Sequence, residues 1–524
     1  MEEFNFQTLP DVACWQAQNR GDAIAFVFEA RTLTFAQLDQ YSNQVAHGLL
    51  AEGIRPKSRV AIFSKDSEVS YEILFGCAKA KAVLIGINWR LAAQEILYIL
   101  NNGEAEVLFV GESFFPAVEQ IAHELTTVKT IITVGGNNPR WTSYLHWRLA
   151  QNETPLNLTY SPEDAVVQMY TSGTTGHPKG VQLPHYSFFR LMQGMREKND
   201  VWMSLNPQDK LLLSLPMFHI GGLWWAVQGL VAGAQGIIID TFIAWKALEL
   251  IERYQITKVA MVPAMIQFVL AEPSCQQTDF SSVQGFLYGG SPIAPALMHK
   301  AMETFDCDFF QIYGMTETGN MAVCLRPEDH RFDESKPMKS AGKPLPGVEA
   351  RIISPEGQVL AANQTGEICL KSPSHMLGYW KNEKATQETL MDGWVHTGDA
   401  GYIDEEGYVY VCDRMKDMII YAGENIFPAE IEALLSEHEA VAEVAVIGVP
   451  DERWGEAVKA FVVVRPGHVL TQRELINFIR GRIADFKLPK SVSFVDSLPR
   501  NPSGKLLKRT LRAPYWEGQD RLVN

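Results

Sequence analysis

The chain has 524 residues, 46% of them hydrophobic and 20% charged, the make-up of a folded globular protein and not of a disordered one. Length alone allows three or four ordinary domains. The balance of 46 Lys and Arg against 61 Asp and Glu leaves a net charge of −15, which argues against a nucleic-acid partner or a broad anionic-membrane surface while permitting a local basic site. Seven cysteines with no CxxC pair argue against a disulfide framework and a cysteine-based zinc site, and fit a cytoplasmic protein.

In chain order, the acidic start MEEFNFQTLPD has no basic region followed by an apolar core, so no signal peptide is expected. Thr34 with Gln37 predicts a capping box, and Leu38, Tyr41, Val45 and Leu49 a helical stripe ending near Gly53. Arg59–Phe63, Val83–Asn88, Val107–Gly111 and Lys129–Gly135 read as buried strands, as do Leu211–Leu215, Gly236–Asp240 and Lys258–Val262. Ile220–Ile239 is uncharged and about as long as a bilayer span. Its two Gln and the break at Gly233-Ala234-Gln235-Gly236 predict instead a buried helix followed by a buried strand.

From about Gly347 the texture becomes β-rich. Glu406-Gly407 between Gly401-Tyr402-Ile403 and Tyr408–Val411 predicts a hairpin. Pro428 opens a helix with Ile431, Leu434 and Leu435 on one face; Val441–Val449 and Ala460–Val464 read as strands, and Thr471 with Glu474 as a second capping box. The expected class is α/β: a large body of several subdomains over residues 1–414, including a β-rich portion, and a small α+β domain over 415–524. The terminal DRLVN is neither a prenylation signal nor a peroxisomal address.

The most informative segment is Tyr170-Thr171-Ser172-Gly173-Thr174-Thr175-Gly176-His177-Pro178-Lys179-Gly180. Glycines free the backbone so that several N–H groups can converge on one anion, the Ser and Thr hydroxyls add donors, and Lys179 adds charge. A Walker A loop is excluded because Gly180, not Ser or Thr, follows the lysine. Apolar runs on both sides predict strand–loop–strand.

This loop resembles that of the adenylate-forming superfamily of acyl-CoA synthetases, luciferases and adenylation domains. The resemblance extends in order through Pro216-Met217-Phe218-His219-Ile220-Gly221-Gly222, Tyr288-Gly289-Gly290-Ser291-Pro292 and Tyr313-Gly314-Met315-Thr316-Glu317-Thr318. It continues through His396-Thr397-Gly398-Asp399, Asp413-Arg414-Met415-Lys416-Asp417, Gly423-Glu424-Asn425 and Pro502-Ser503-Gly504-Lys505. The resemblance implies a two-step reaction. A carboxylate attacks the α-phosphate of ATP, giving acyl-AMP and pyrophosphate, and a thiol then attacks the mixed anhydride.

By the same resemblance, Ser172, Gly173, Thr174, Thr175 and Lys179 handle phosphate, and Thr171 and Glu317 help hold Mg²⁺. Gly289, Gly290 and Tyr313, with Gly314 and Thr316 of the same motif, line the nucleotide site; Asp399 and Arg414 bind the ribose hydroxyls. Lys505 is implied as the catalytic lysine that bridges carboxylate and phosphate. Lys416 is implied as the hinge between the two domains, about which rotation removes Lys505 and brings Gly423 to a pantetheine channel.

Amino-acid-activating members carry Asp where this chain has His219, which points to an acid without an α-amine. Taken alone, His219 is either a gate beside the substrate carboxylate or a buried structural histidine. Gly221, Gly222, Trp224 and Trp225 suggest an apolar acyl cavity. A fatty acid and coenzyme A are the expected substrates with ATP. An aryl acid and a separate carrier protein are the alternatives; with nineteen residues after Lys505, no fused carrier is expected. A luciferase-like oxygenase and a non-catalytic nucleotide sensor are the competing classes, the latter disfavoured by intact Lys505, Glu317 and Thr171. Peripheral membrane contact and homodimer formation are left open.

Overall fold

The computed structural model describes residues 6–171, 178–200, 203–330, 336–421, 424–451, 453–500 and 506–517. The chain divides into two compact units: residues 1–350 with 370–395, and 351–369 with 396–524. The expected functional boundary at 414/415 thus falls inside the second compact unit.

Among the described residues, the first unit holds two large sheets. One runs in the order Lys343–Pro344, Val323–Leu325, Asp308–Tyr313, Gly285–Gly289, Lys258–Met261, Lys210–Leu213, Gln235–Ile238, Ile24–Phe28 and Arg31–Thr34. Its six central strands are parallel and the outer ones antiparallel. The second runs from Gly378–Tyr379 through Lys179–Pro184, Ala165–Thr171, Val83–Gly86, Arg59–Phe63, Ala105–Gly111 and Thr130–Val134 to Thr142–Ser143. These strands read as continuous apolar runs because helices pack both faces of a parallel sheet. Val259, Met261, Phe286 and Phe309, for example, bury against Leu248, Ile251 and Ile266.

The sequence expectations for local elements hold. Gln37 N–H donates to Thr34 Oγ1 at 3.2 Å while Thr34 N–H donates to Gln37 Oε1 at 2.9 Å, and Thr471 and Glu474 repeat this reciprocal cap. The uncharged stretch forms a buried helix, Ile220–Ala232, stopped by Gly233 at φ +73°, then the strand Gln235–Ile238. No helix of the described residues is long and apolar enough to cross a membrane.

The strand Trp394–Ile403, which belongs to the second unit from His396 onward, forms the expected hairpin with Val409–Arg414, with Tyr402 opposite Tyr410. The last sheet of that unit joins Glu424–Ile426, Ile419–Tyr421, Gly455–Val464, Val441–Asp451 and Ser491–Phe494. Both faces are covered: Val446, Val458 and Val462 pack under Ile431, Leu435 and Leu475, and the alternate residues Ala445, Ile447 and Phe461 pack against Leu498.

One buried histidine ties the N-terminal helix down. His185 Nδ1 accepts the N–H of Leu9, the first residue of the helix Leu9–Arg20, at 3.2 Å. Burial pushes its imidazole down to about 3. Because the unfolded value lies near 6.5, the unfolded chain binds the proton first. Stability from this group is whole above pH 6.5 and is lost as pH falls toward 3, by up to about 1.4 kcal/mol per pH unit. Thermal unfolding of wild type should therefore fall more steeply between pH 6.5 and 5 than that of His185→Asn, which keeps an acceptor without titrating; parallel slopes would reject the assignment.

Candidate active site

The carboxyl ends of the parallel strands in an open α/β sheet are where loops converge on ligands. Gly285–Gly289 and Asp308–Tyr313 are adjacent parallel strands, with Gly289 opposite Ile312. Gly289, Gly290, Tyr313, Gly314, Thr316 and Glu317 therefore emerge side by side at one edge. Gly290 adopts φ +80°, and a Cβ on Gly314 would lie 2.0 Å from the Asn320 carbonyl oxygen, so both positions require glycine. Tyr313 is half-buried.

Glu317 is 4% exposed and accepts a hydrogen bond on Oε1 from the Tyr379 hydroxyl at 2.7 Å. Burial, then the Glu317 carboxylate, hold that hydroxyl well above its usual range, so Tyr379 remains a donor. The Lys179 ammonium sits 4.8 Å from the centre of the Tyr379 ring, a cation–π contact. Thr171 ends one strand and Lys179 begins the next, and the two are directly paired. The structure thus gathers Lys179 and Glu317 around Tyr379. Ser172, Gly173, Thr174 and Thr175 lie outside the described residues, as do Gly423 and Lys505.

His219 stands at the N-terminus of the helix Ile220–Ala232, beyond the carboxyl end of Lys210–Leu213. Its side chain is open to solvent, yet desolvation by the enclosing protein, then the Arg90 cation, push its imidazole down to about 4. The shift favours the neutral ring. The loop before it is held by Asp66, whose Oδ2 accepts the Met217 N–H at 2.8 Å and whose carboxyl burial pushes up to about 7. Trp225 belongs to the core, donating its indole N–H to the Leu212 carbonyl.

In the second unit Asp399 and Arg414 face each other across the hairpin. Asp399 is 6% exposed, and its Oδ1 lies 2.9 Å from Arg414 Nε. Glu367 sets the turn before Asp399: its Oε1 accepts the Gly398 N–H at 3.0 Å and its Oε2 pairs His396 Nδ1 at 2.9 Å. Cys369 completes a group with Glu367 and His396 whose ligand atoms lie within 4.8 Å of one another. Lys416 sits in the single turn Met415–Asp417, where burial lowers its pKa.

Several residues here gave no signal in the sequence reading. Tyr379, Asp66 and Glu367 act over sequence separations of 62, 151 and 31 residues. A cluster in the second unit also escaped. Tyr421 and Trp454 stack at 5.2 Å, Phe486 lies 6.2 Å from Tyr421, and the Lys490 ammonium is 5.1 and 5.7 Å from the Tyr421 and Trp454 rings. Stacked rings beside a lysine suit the base and phosphates of a nucleotide; Trp454 in Glu452-Arg453-Trp454-Gly455 was its only trace in the sequence.

The AMP-binding enzyme family matches residues 14–380, and the AMP-binding enzyme C-terminal domain matches residues 430–505. The chain belongs to this family, in its acyl-CoA synthetase branch, and is an acid ligase of the AMP-forming type. It is 46% identical to a fatty acid–[acyl-carrier-protein] ligase of Streptomyces coeruleorubidus, over 99% of this chain and 98% of that one. It is 36% identical to an indoleacetate–CoA ligase of Aromatoleum aromaticum, over 93% and 94%. The crystal structure of an anthranilate CoA ligase in complex with anthranoyl-AMP superposes with a TM-score of 0.88 at 27% identity, covering 97% of each chain.

Hard cations take oxygen donors, and Thr171 and Glu317 offer a hydroxyl and a buried carboxylate, so this pair fits Mg²⁺. Removing the Tyr379 hydroxyl leaves Glu317 Oε1 without its donor. Tyr379→Phe should cost about 1–3 kcal/mol of folding stability, read by denaturant unfolding, and should slow acyl-adenylate formation; a variant unchanged in both would reject Tyr379 as the group that orients Glu317.

Proposed function

We propose that the protein is an ATP-dependent fatty-acid ligase that forms acyl-AMP and passes the acyl group to a phosphopantetheine thiol. The observation that carries the substrate reading is His219, a neutral imidazole where amino-acid-activating members hold a carboxylate. A neutral ring offers no counter-charge for a substrate ammonium and no negative charge to repel a carboxylate. The 46% identical relative is itself named for a fatty acid.

In this reading the substrate carboxylate attacks the α-phosphorus, pyrophosphate leaves, and AMP is the leaving group of the second step. Thr171 and Glu317 would hold Mg²⁺, which supplies charge neutralisation at the phosphate oxygens. Ser172 to Thr175 and Lys179 handle the same oxygens, with Tyr379 fixing Glu317. Gly289, Gly290, Tyr313, Gly314 and Thr316 border the base. Asp399 accepts hydrogen bonds from the ribose diol, its remaining lone pairs serving while Arg414 orients it. Lys505 bridges carboxylate and phosphate during the first step, and rotation about Lys416 then brings Gly423 to the thiol arm.

Coenzyme A is the acceptor supported by the Tyr421, Trp454, Phe486 and Lys490 patch, since its nucleotide needs a stacking surface and a cation. A carrier-protein acceptor is favoured by the name of the 46% identical relative. AMP release across fatty, aryl and branched acids, with coenzyme A or a phosphopantetheinylated carrier protein, separates these readings. Fatty acids should give the highest kcat/KM; an aryl preference would overturn the substrate reading. If coenzyme A is the acceptor, Trp454→Ala should raise its KM about tenfold, a typical loss for one stacked base, without altering acid-dependent pyrophosphate exchange. An unchanged KM favours the carrier protein. Lys505→Ala should abolish that exchange yet retain thioester formation from supplied acyl-AMP; equal loss of both steps would reject its assigned role.

A further inference from the structure

Asp413 lies just before Lys416, yet its carboxylate bonds reach past it. Oδ2 accepts the Ala429 N–H at 2.9 Å and lies 3.7 Å from Lys508 Nζ. Ala429 is the second residue of the helix Pro428–Ser436, whose N-cap Phe427 has no side-chain acceptor. An acceptor of the kind an N-cap side chain can supply comes here from the other side of the proposed pivot. The carboxylate also meets the positive end of the helix dipole.

The Met418 N–H also crosses the pivot, to the Arg414 and Met415 carbonyls at 3.2 and 3.3 Å, whereas the remaining contacts of Lys508 and Arg512 lie on its far side. Lys508 Nζ is 2.9 Å from Glu432 Oε1, on the same helix, and Glu432 Oε1 accepts the Val446 N–H. Arg512 donates to the Lys416 carbonyl at 3.1 Å and to Asp417 Oδ1 at 3.0 Å. Rotation about the N–Cα and Cα–C bonds of Lys416 carries its carbonyl along with everything downstream. The bonds of Arg512 and the Lys508–Glu432 pair survive that rotation, whereas the two bonds from Asp413 to Ala429 and Lys508 do not.

We propose that Asp413 is a positioning residue: it latches the cap domain in one of its two orientations, so that its bonds set how the enzyme divides between adenylation and thioester formation. This rests on the two-step reading above with its pivot at Lys416. The latch is specific to one orientation because its acceptor lies on one side of Lys416 and both its donors on the other. A contact that exists in only one state biases the equilibrium by its own free energy.

The test measures acid-dependent pyrophosphate exchange and thioester formation from supplied acyl-AMP on the same full-length preparations. Asp413→Ala should change the ratio of the two rates by about five- to tenfold, the worth of one helix cap, with one step slowed and the other unchanged or faster. Asp413→Asn keeps an acceptor for the Ala429 N–H and should shift the ratio less, in the same direction; it also serves if the alanine variant does not fold. Glu432→Gln, whose contacts all lie downstream of the pivot, should lower the melting temperature and leave the ratio at the wild-type value. The latch is overturned if Asp413→Ala slows both steps by one factor or leaves both unchanged. Wild type that shows no pyrophosphate exchange would instead overturn the two-step reading itself.

Discussion

A hydrogen bond from a phenol to a buried carboxylate links the two large sheets of the first unit. Glu317 sits in the loop after Asp308–Tyr313, a strand of the nine-stranded sheet, and Tyr379 in the edge strand of the eight-stranded one. Their hydrogen bond therefore couples the two sheets. It is reinforced where the Met376 N–H donates to the Glu317 carbonyl. Since an ionised carboxylate is costly to bury alone, the strand Gly378–Tyr379 helps to fix the loop bearing Gly314, Thr316 and Glu317. That strand pairs with Val181 and Gln182, on the strand that begins at Lys179. The loop after Asp308–Tyr313 and the start of the strand Lys179–Pro184 are thus referenced to each other through one phenol.

The net charge of −15 gives no hint of how the individual cations of each unit are placed. Lys179 is steadied by the Tyr379 ring, and Arg414 is spent on Asp399. A pre-paired arginine is a weaker attractor of phosphate but a better-placed guide for the carboxylate beside it. Glu367 does the same for the turn, since one carboxylate oxygen takes the Gly398 N–H and the other takes His396. Local order and not net charge sets what such a site binds.

What the sequence made legible was short-range. Both capping boxes, the break at Gly233, the hairpin around Gly407 and the buried strand runs all depend on neighbours within a few residues, and periodicity or turn chemistry reports those directly. Asp399 and Arg414 were legible as motif members, and their pairing follows from the hairpin register. Tyr379, Asp66 and Glu367 were not legible: each acts through one bond to a residue far along the chain, and nothing in Gly378-Tyr379 or Lys65-Asp66 marks it locally. Trp225 misled for a related reason, since helix residues next to a motif are divided between core and recess by the helix's facing, which composition does not record.

If the last domain turns about Lys416 as proposed, the network around Lys508 gives a reason to use charge where a static domain uses hydrocarbon. An apolar contact has little direction and is lost gradually, whereas the bond from Asp413 to the Ala429 N–H is lost over a fraction of a turn. The usual cost of breaking a buried ion pair is the unpaired charge left behind. Here that cost is limited, because Lys508 keeps Glu432 as its partner whichever way Lys416 turns, and Glu432 keeps the Val446 N–H. Asp413 would be the group that must find water or new donors after release, since its side chain is only 9% exposed in this arrangement. On the proposed pivot, the arrangement would separate the bonds that keep the cap folded from the bonds that choose its orientation, so that a turn at Lys416 would leave the former intact.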